Sequence, residues 1–230
     1  MRSSPWPIAV AAALVFGAWL GATSAVIAAS ADDPIYKPPA RNAPTGRIGL
    51  GTRSIVPPRQ VWALAPDHTG LTTREAPTLY WFVGKPVATR VELAAVGGDG
   101  SKPMLEESLP GPAAAGVQKI DLSRYGIRLQ PGVEYRWTVS IEGEPKQRPS
   151  TVAIQRIAAG PDLVRRLDAT PRAGRTAAYA EEGIWYDAIG SISELIELAP
   201  NDAALRGQRA ALLEQVGLKE AAAGDRQRQD

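Results

Sequence analysis

The stretch VEYRWTVSIE, residues 133–142, decides the fold, because apolar and polar side chains alternate along almost its whole length. Every second residue from Val133 to Ile141 is apolar, and the residues between them are polar or charged. A period of two is typical of a β-strand that buries one face and leaves the other accessible to water. The stretch therefore predicts a strand in the wall of a two-layered β structure.

Six further segments read as strands, and they surround this one in the sequence. The segment TLYWFV (78–83) is continuously apolar, which indicates a strand covered on both faces. The others are residues 61–65, 90–96, 104–108, 117–122 and 151–157. About seven short strands separated by Gly- and Pro-rich turns predict a β-sandwich of the fibronectin type III or immunoglobulin-like kind over residues 59–158.

One tyrosine has a specific place in such a sandwich. The sequence LQPGVEY (129–135) is a Pro-Gly turn followed by Tyr135 at the start of the best strand. It resembles the tyrosine corner, in which the hydroxyl bonds to the backbone a few residues upstream. Tyr135 is thus a candidate structural residue, although the alternation alone would also make it an ordinary core aromatic.

The pattern changes to helical after Gly160-Pro161, and a helical region is predicted over residues 161–222. Residues 185–199 carry an apolar stripe at a spacing of 3.6, with Asp187, Glu194 and Glu197 off it. Gly183 and Gly217 are 34 residues apart, which is the period of the tetratricopeptide repeat. We therefore predict a small tetratricopeptide-like helical hairpin, followed by a disordered tail over residues 223–230.

This repeat ends after about one and a half copies, which is too few for the peptide-binding groove of longer arrays. The stretch GIWYDA (183–188) then gives three candidate structural or interaction residues: Gly183 at the turn, and Trp185 and Tyr186 at the start of the next helix. We expect the two aromatic residues to attach the hairpin to the sandwich. The alternative is a surface for a sister chain or another partner.

The N-terminus has the features of an export signal. Residues 1–31 begin with a positive charge, continue through an apolar segment, and end in small residues, as a secretory signal peptide does. An uncleaved membrane anchor is the alternative. Residues 32–58 are rich in Pro and Gly and are predicted to form a linker. Because the chain has no cysteine, it has no disulfides, which favours a bacterial periplasmic or secreted protein over a eukaryotic extracellular one.

The charge distribution argues against nucleic acid as a partner. The formal net charge of the whole chain is only +2. No segment has the dense basic patch that binding to a phosphate backbone requires. The glycine-rich residues 46–53 lack the Gly-Lys-Ser/Thr that a phosphate-binding loop needs.

Catalytic, cofactor and metal sites are not indicated either. His68 is the only histidine and is predicted to lie in a surface loop. The adjacent pairs 106–107 and 181–182 are glutamates, but neighbouring side chains diverge on a strand or helix. Trp62, Trp81 and Trp137 would suit stacking against a sugar, yet they occur within apolar strand patterns that favour a core. We predict a protein that is not an enzyme and has no cofactor.

Four segments together resemble a known family. They are ALAPDHTGLTT (63–73), APTLYWF (76–82), LQPGVEYRW (129–137) and GIWYDA (183–188), in this order. The set is similar to the bacterial exported family catalogued as domain of unknown function nine-two-eight, over about residues 51–218. The resemblance implies a proteobacterial or cyanobacterial envelope or secreted protein. It transfers no catalytic residues.

The expected function follows from these points. We expect an exported, non-enzymatic binding or scaffolding protein of the bacterial envelope, in the periplasm or secreted. Its partner would be another envelope protein or a second copy of itself, and it would meet the membrane only if the signal segment stays uncleaved. The alternative is a periplasmic sensor accessory or a protein that binds a glycan or a small molecule.

Overall fold

The computed structural model describes residues 33–39, 59–95, 103–109 and 113–227. The predicted signal peptide and most of the predicted linker lie outside these residues. Within the described ranges, no helix has both the length and the apolar character needed to cross a membrane.

Two β-sheets form the first half of the described chain. Its eight strands are β1 Val61–Ala63, β2 Gly70–Thr72, β3 Thr78–Val83, β4 Thr89–Ala95, β5 Leu105–Ser108, β6 Gly116–Asp121, β7 Glu134–Ile141 and β8 Ser150–Arg156. A three-stranded sheet has the order β1-β3-β6, and a five-stranded sheet has the order β2-β8-β7-β4-β5. Each of the seven predicted segments overlaps one strand. β2 was not predicted, and it pairs parallel with β8 while the other ladders are antiparallel.

The two sheets enclose the core as the alternation of residues 133–142 requires. Tyr135, Trp137 and Val139 of β7 are buried, whereas Arg136 between them is exposed. The hydroxyl of Ser150 in β8 accepts a hydrogen bond of 2.9 Å from the backbone N–H of Ala63 in β1, which ties the sheets together. The side chains of β3 are buried on both faces, because the helices cover the face that does not meet the other sheet.

Five helices follow the sheets: α1 Pro161–Ala169, α2 Arg175–Glu181, α3 Trp185–Leu198, α4 Ala203–Gln215 and α5 Lys219–Gln227. The prediction of a disordered tail from residue 223 is wrong for residues 223–227. They continue α5, and Asp225 is buried. The reason is close packing on the sheet: Gly224 lies directly against the ring of Phe82 in β3. Residues 228–230 lie outside the described part.

The turns α2–α3 and α4–α5 have the same backbone geometry. Gly183 and Gly217, at the centre of each turn, have φ angles of 73° and 76°. In both turns the residue after the glycine donates its N–H to the carbonyl five residues earlier, at 2.9 Å. This is the Schellman pattern that ends helices. The 34-residue echo in the sequence thus corresponds to two similar helix turns, while the tetratricopeptide assignment itself stays a prediction.

Candidate functional site

Asp187 connects the helices to the sheets through a buried carboxylate. It lies in the first turn of α3 and is fully buried, although the sequence analysis placed it off the buried stripe. That placement was wrong because α3 is covered on nearly all sides over its first half. The carboxylate accepts hydrogen bonds from the hydroxyl of Thr72 at 2.5 Å, from the N–H of Thr73 at 2.9 Å and from the hydroxyl of Thr73.

The electrostatics of this carboxylate are dominated by its burial. Burial raises the pKa of Asp187, while the hydrogen bonds from the two threonines and the charge of Arg74 act in the opposite direction. A raised pKa is often a mark of a catalytic acid. Here the carboxylate oxygens accept hydrogen bonds from the protein's own groups, so the contact is structural. We call this contact between the start of α3 and the sheets the joint.

Trp185 and Tyr186 extend the same joint. The Trp185 indole N–H donates to the carbonyl of Leu64 at 2.8 Å. The Tyr186 hydroxyl accepts from the Trp137 indole N–H at 2.9 Å and donates to the carbonyl of Ala153 at 3.1 Å. Both aromatic side chains are buried. They contact the sheets, and they present no surface to a ligand.

Gly183 is pressed against the N-terminal strap, the name we give to residues 33–39. The strap lies within the predicted linker, but it is docked on the helices. The N–H of Lys37 donates to the carbonyl of Ala180 at 3.0 Å. A Cβ atom on Gly183 would lie 2.7 Å from the carbonyl oxygen of Lys37. Gly183 is therefore needed both for its positive φ and for the close approach of the strap.

His68 is buried, contrary to the prediction of a surface loop. Its exposed fraction is 8%, because Tyr36 of the strap covers it. The Tyr36 hydroxyl lies 2.9 Å from Nε2, and the carboxylate of Asp67 lies 3.4 Å from Nδ1. The Tyr36 ring also packs edge-on to Trp185, with 4.9 Å between ring centroids. His68 thus belongs to the same joint between strap, sheets and helices.

Tyr135 has the local geometry that the sequence suggests. Its hydroxyl accepts a hydrogen bond of 2.9 Å from the backbone N–H of Gln130, five residues upstream. The side chain is almost wholly buried. Tyr135 therefore stabilises the turn that leads into β7.

The remaining candidates from the sequence do not assemble into a site. Trp81 and Trp137 are fully buried in the core, so the three tryptophans form no exposed platform. Glu181 and Glu182 both form ion pairs with Arg166, which lowers the pKa of Glu181. In the part of the chain that the structure describes, no group of three potential metal ligands is found.

An open groove lies between β6 and the helices, and its volume is about 600 Å³. Four consecutive residues of β6, Gly116 to Lys119, form one wall. The other walls come from the end of α3 and the turn after it, from α4 and from α5, with contributions from residues 193, 196–197, 200–201, 206, 209 and 224–225. This volume is in the range of ligand pockets.

Two ion pairs line the groove, and within each pair the two charges neutralise one another. Arg209 forms a buried bidentate pair with Asp225, at 2.7 and 2.6 Å, and it also donates to the hydroxyl of Ser193 at 3.0 Å. Lys119 pairs with Glu197 at 2.6 Å near the surface. These pairs shape the groove, and their charges cancel.

Two further groups in the groove have spare binding capacity. Tyr80 has an exposed fraction of only 4%, and its hydroxyl has no hydrogen-bond partner among residues 33–39, 59–95, 103–109 and 113–227. Burial raises the pKa of Tyr80 to about 12, so the hydroxyl keeps its proton at neutral pH. Arg206 donates to the carbonyl of Pro200 and has no carboxylate partner within these ranges.

The groove was not predictable from the sequence, because its residues come from distant segments. One signal was present in the pattern. Arg209 and Asp225 occupy helix positions four residues after Leu205 and Ala221, on the stripes that become buried. Charged residues on a buried stripe are uncommon unless they are paired.

Fold and groove define the class of this molecule: a two-sheet protein with C-terminal helices and a polar groove between its edge strand β6 and those helices. Within that class, the chain belongs to the family described as Domain of Unknown Function (DUF928), whose model matches residues 48–225. The resemblance seen in the sequence is thereby confirmed. No curated protein matches the chain.

Proposed function

We propose that this chain is an exported, non-enzymatic binding protein of the bacterial envelope, and that its partner occupies the groove beside β6. The observation that carries the proposal is the groove itself, about 600 Å³ in volume, in which the hydroxyl of Tyr80 and the guanidinium of Arg206 have no side-chain partner in the described chain. A ligand that hydrogen-bonds to these two groups satisfies them with protein-like partners, and a hydrogen bond to a charged group such as the guanidinium contributes about 1.5–3 kcal/mol.

Binding suits these groups better than catalysis does. Arg209 and Asp225 neutralise each other, and Asp187 is enclosed in the joint between helices and sheets. The groove-lining side chains of nucleophilic type are already bound to other groups: Lys119 pairs with Glu197, and the Ser193 hydroxyl accepts from Arg209.

The fold assignment is also part of the proposal. We assign the two sheets to a fibronectin type III or immunoglobulin-like sandwich. The support is the Greek-key crossing, in which β6 returns to the sheet of β3 while β4, β5, β7 and β8 build the other sheet together with the short strand β2, and the Tyr135 corner adds to it. The two similar turns at Gly183 and Gly217 support a tetratricopeptide-like origin of the helices.

The location in the cell rests on the sequence. The charged start, apolar segment and small residues of positions 1–31 support export through a signal peptide, and the lack of cysteine agrees with a bacterial envelope. N-terminal sequencing of the protein from its native bacterium tests this point. A start near residue 32 supports cleavage, and a start at Met1 contradicts it.

Site-specific crosslinking in the native bacterium tests the binding role. A photoreactive residue replaces Asn201, which is exposed and lines the groove, and in a matched chain it replaces Arg165 of α1, which is exposed and does not line it. We expect one discrete adduct from position 201 that weakens with Arg206→Ala. Adducts that are equal at both positions, or no adduct from position 201, would overturn the proposal.

Small-molecule binding is the second candidate, because the volume of the groove matches that of small-ligand pockets. If the ligand is a small molecule, the additional mass carried by the chain should be far below that of a protein. Native mass spectrometry of the full chain purified from its bacterium separates the two candidates. A glycan is less favoured, since Trp81 and Trp137 are buried in the core.

A further inference from the structure

One edge of β6 carries backbone groups that the sheet does not use. The N–H of Leu122 donates to the carbonyl of Pro77 at 3.3 Å, which makes Thr78 and Asp121 a non-hydrogen-bonded pair of the antiparallel ladder. Because such pairs alternate along a ladder, Gly116, Gln118 and Ile120 direct their backbone groups to β3. The backbone groups of Val117 and Lys119 therefore point away from β3.

These outward groups belong to residues that line the groove. Val117 and Lys119 both line it, and their backbone N–H and C=O groups have no hydrogen-bond partner in the described chain. β6 is also the last strand of its sheet among the described residues. An unpaired strand edge of this kind is a template for another strand. Its four groove-lining residues span about 13 Å, at about 3.3 Å per residue.

The charges of the groove favour an acidic partner. Lys119 with Glu197 and Arg209 with Asp225 cancel as pairs, and Arg206 leaves one positive charge. A guanidinium can bind a carboxylate through two parallel hydrogen bonds. The free hydroxyl of Tyr80 adds a polar contact on the same wall as Lys119, which it faces across the β3–β6 ladder.

We infer that the groove binds an extended peptide segment with an acidic side chain, which adds to β6 as a further strand. The backbone of the peptide pairs with Val117 and Lys119, and its carboxylate lies against Arg206. This is the β-augmentation mode of peptide recognition, in which main-chain hydrogen bonds supply affinity and side chains supply specificity. The inference rests on the proposed binding function and names its ligand class.

Peptides with altered backbones test the pairing. The probe is a fluorescent, end-capped eight-residue peptide of alternating Thr and Val with one central Asp, titrated against the full chain by anisotropy. Only every second N–H of an added strand faces β6. We expect N-methylation of one alternate set to weaken binding about tenfold, and methylation of the other set to change it less than about twofold. Equal effects of both sets would overturn strand addition.

Variants of the protein test the same edge from the other side. Lys119→Pro removes an N–H that points away from β3, so the ladder is retained, as for prolines on edge strands. We expect it to weaken the peptide about fivefold more than Lys119→Ala, which removes the charge alone. Thermal unfolding of both variants checks that each is folded. Equal binding by two folded variants would contradict pairing at Lys119.

The acidic side chain has its own test. Replacing the Asp of the peptide with Asn is expected to weaken binding about fivefold, and Arg206→Gln should abolish that difference. Arg165→Gln is the matched control on an exposed helix position. Succinate serves as a competitor, because displacement at equal concentration would mean recognition of a carboxylate without a strand.

The outcomes separate the inference from the proposed function. A specific crosslink from position 201 with no binding of the peptide, or with binding that ignores N-methylation, overturns the strand-addition inference and leaves the binding role standing. Absence of both the crosslink and the peptide signal overturns both.

Discussion

The carboxylate of Asp187 and the hydroxyl of Thr72 are 115 residues apart in the chain and lie 2.5 Å apart in the structure. The two residues come from the segments GLTT and GIWYDA, which are part of the set that resembles the family. Their neighbours Trp185 and Tyr186 bind the same sheets. The most recognisable sequence of this protein thus builds a joint between sheets and helices, and the groove lies elsewhere.

Asp187→Ala is expected to destabilise the protein by about 2–4 kcal/mol, because it leaves the groups of Thr72 and Thr73 without their acceptor. Chemical denaturation of the full chain measures the loss. Asp162→Ala on α1 is the control, since that side chain is exposed, and it should change stability by less than about 0.5 kcal/mol. A similar small effect of Asp187→Ala would show that the joint contributes little.

The same carboxylate predicts a pH dependence. Burial raises the pKa of Asp187 above its ordinary value of 3.8, so the folded state holds this proton more tightly than the unfolded state. The contribution of Asp187 to stability is then greatest below pH 3.8 and declines as the pH rises through the folded-state pKa. Asp187→Asn lacks this decline. Wild type should therefore lose stability relative to Asp187→Asn as the pH rises from about 4 in denaturation series, and a constant or opposite difference would contradict this.

Tyr186→Phe should cost about 1–3 kcal/mol, although the ring is retained. The change removes the acceptor of the buried Trp137 indole N–H and the donor to Ala153. Tyr125→Phe is the control, because Tyr125 is exposed. The thermal midpoints of the two variants are compared. Equal midpoints would mean that the hydroxyl of Tyr186 is dispensable.

Gly224 and Gly207 form a matched pair of helix glycines. A Cβ on Gly224 would overlap with the ring of Phe82, whereas one on Gly207 in α4 meets nothing within 4 Å. Gly224→Ala should therefore destabilise the packing of α5 on β3 by about 1–3 kcal/mol. Gly207→Ala should stabilise the protein by about 0.5–1 kcal/mol through helix propensity. Equal effects in denaturation experiments would contradict the close contact at Gly224.

Local patterns allowed much of the fold to be predicted. The alternation of residues 133–142 and the apolar run of residues 78–83 correspond to β7 and β3, because a strand's period is set by its own side chains. β2 was missed for the opposite reason. It has three residues, Gly70 to Thr72, and it is defined by its pairing with β8 and by Asp187.

The groove and the strap depend on distant contacts, which a local pattern does not contain. Tyr36 lies in a proline-rich segment that reads as a linker, and it becomes ordered because His68 and Trp185 receive its ring. Tyr80 reads as one more apolar position in β3, and its hydroxyl becomes significant only beside the helices. Such features arise from packing between distant segments, so the local sequence pattern did not indicate the roles of these residues.

The two turn glycines provide the last prediction, which isolates the strap. Both have positive φ, so alanine at either position costs about 1–2 kcal/mol in strain. At Gly183 the new Cβ would also lie 2.7 Å from the carbonyl of Lys37, while at Gly217 it meets nothing within 4 Å. Gly183→Ala should therefore destabilise the full chain more than Gly217→Ala does. In a chain that begins at residue 40, the strap is gone and the two losses should become equal. A difference that persists without the strap would show that the contact with Lys37 is not its cause.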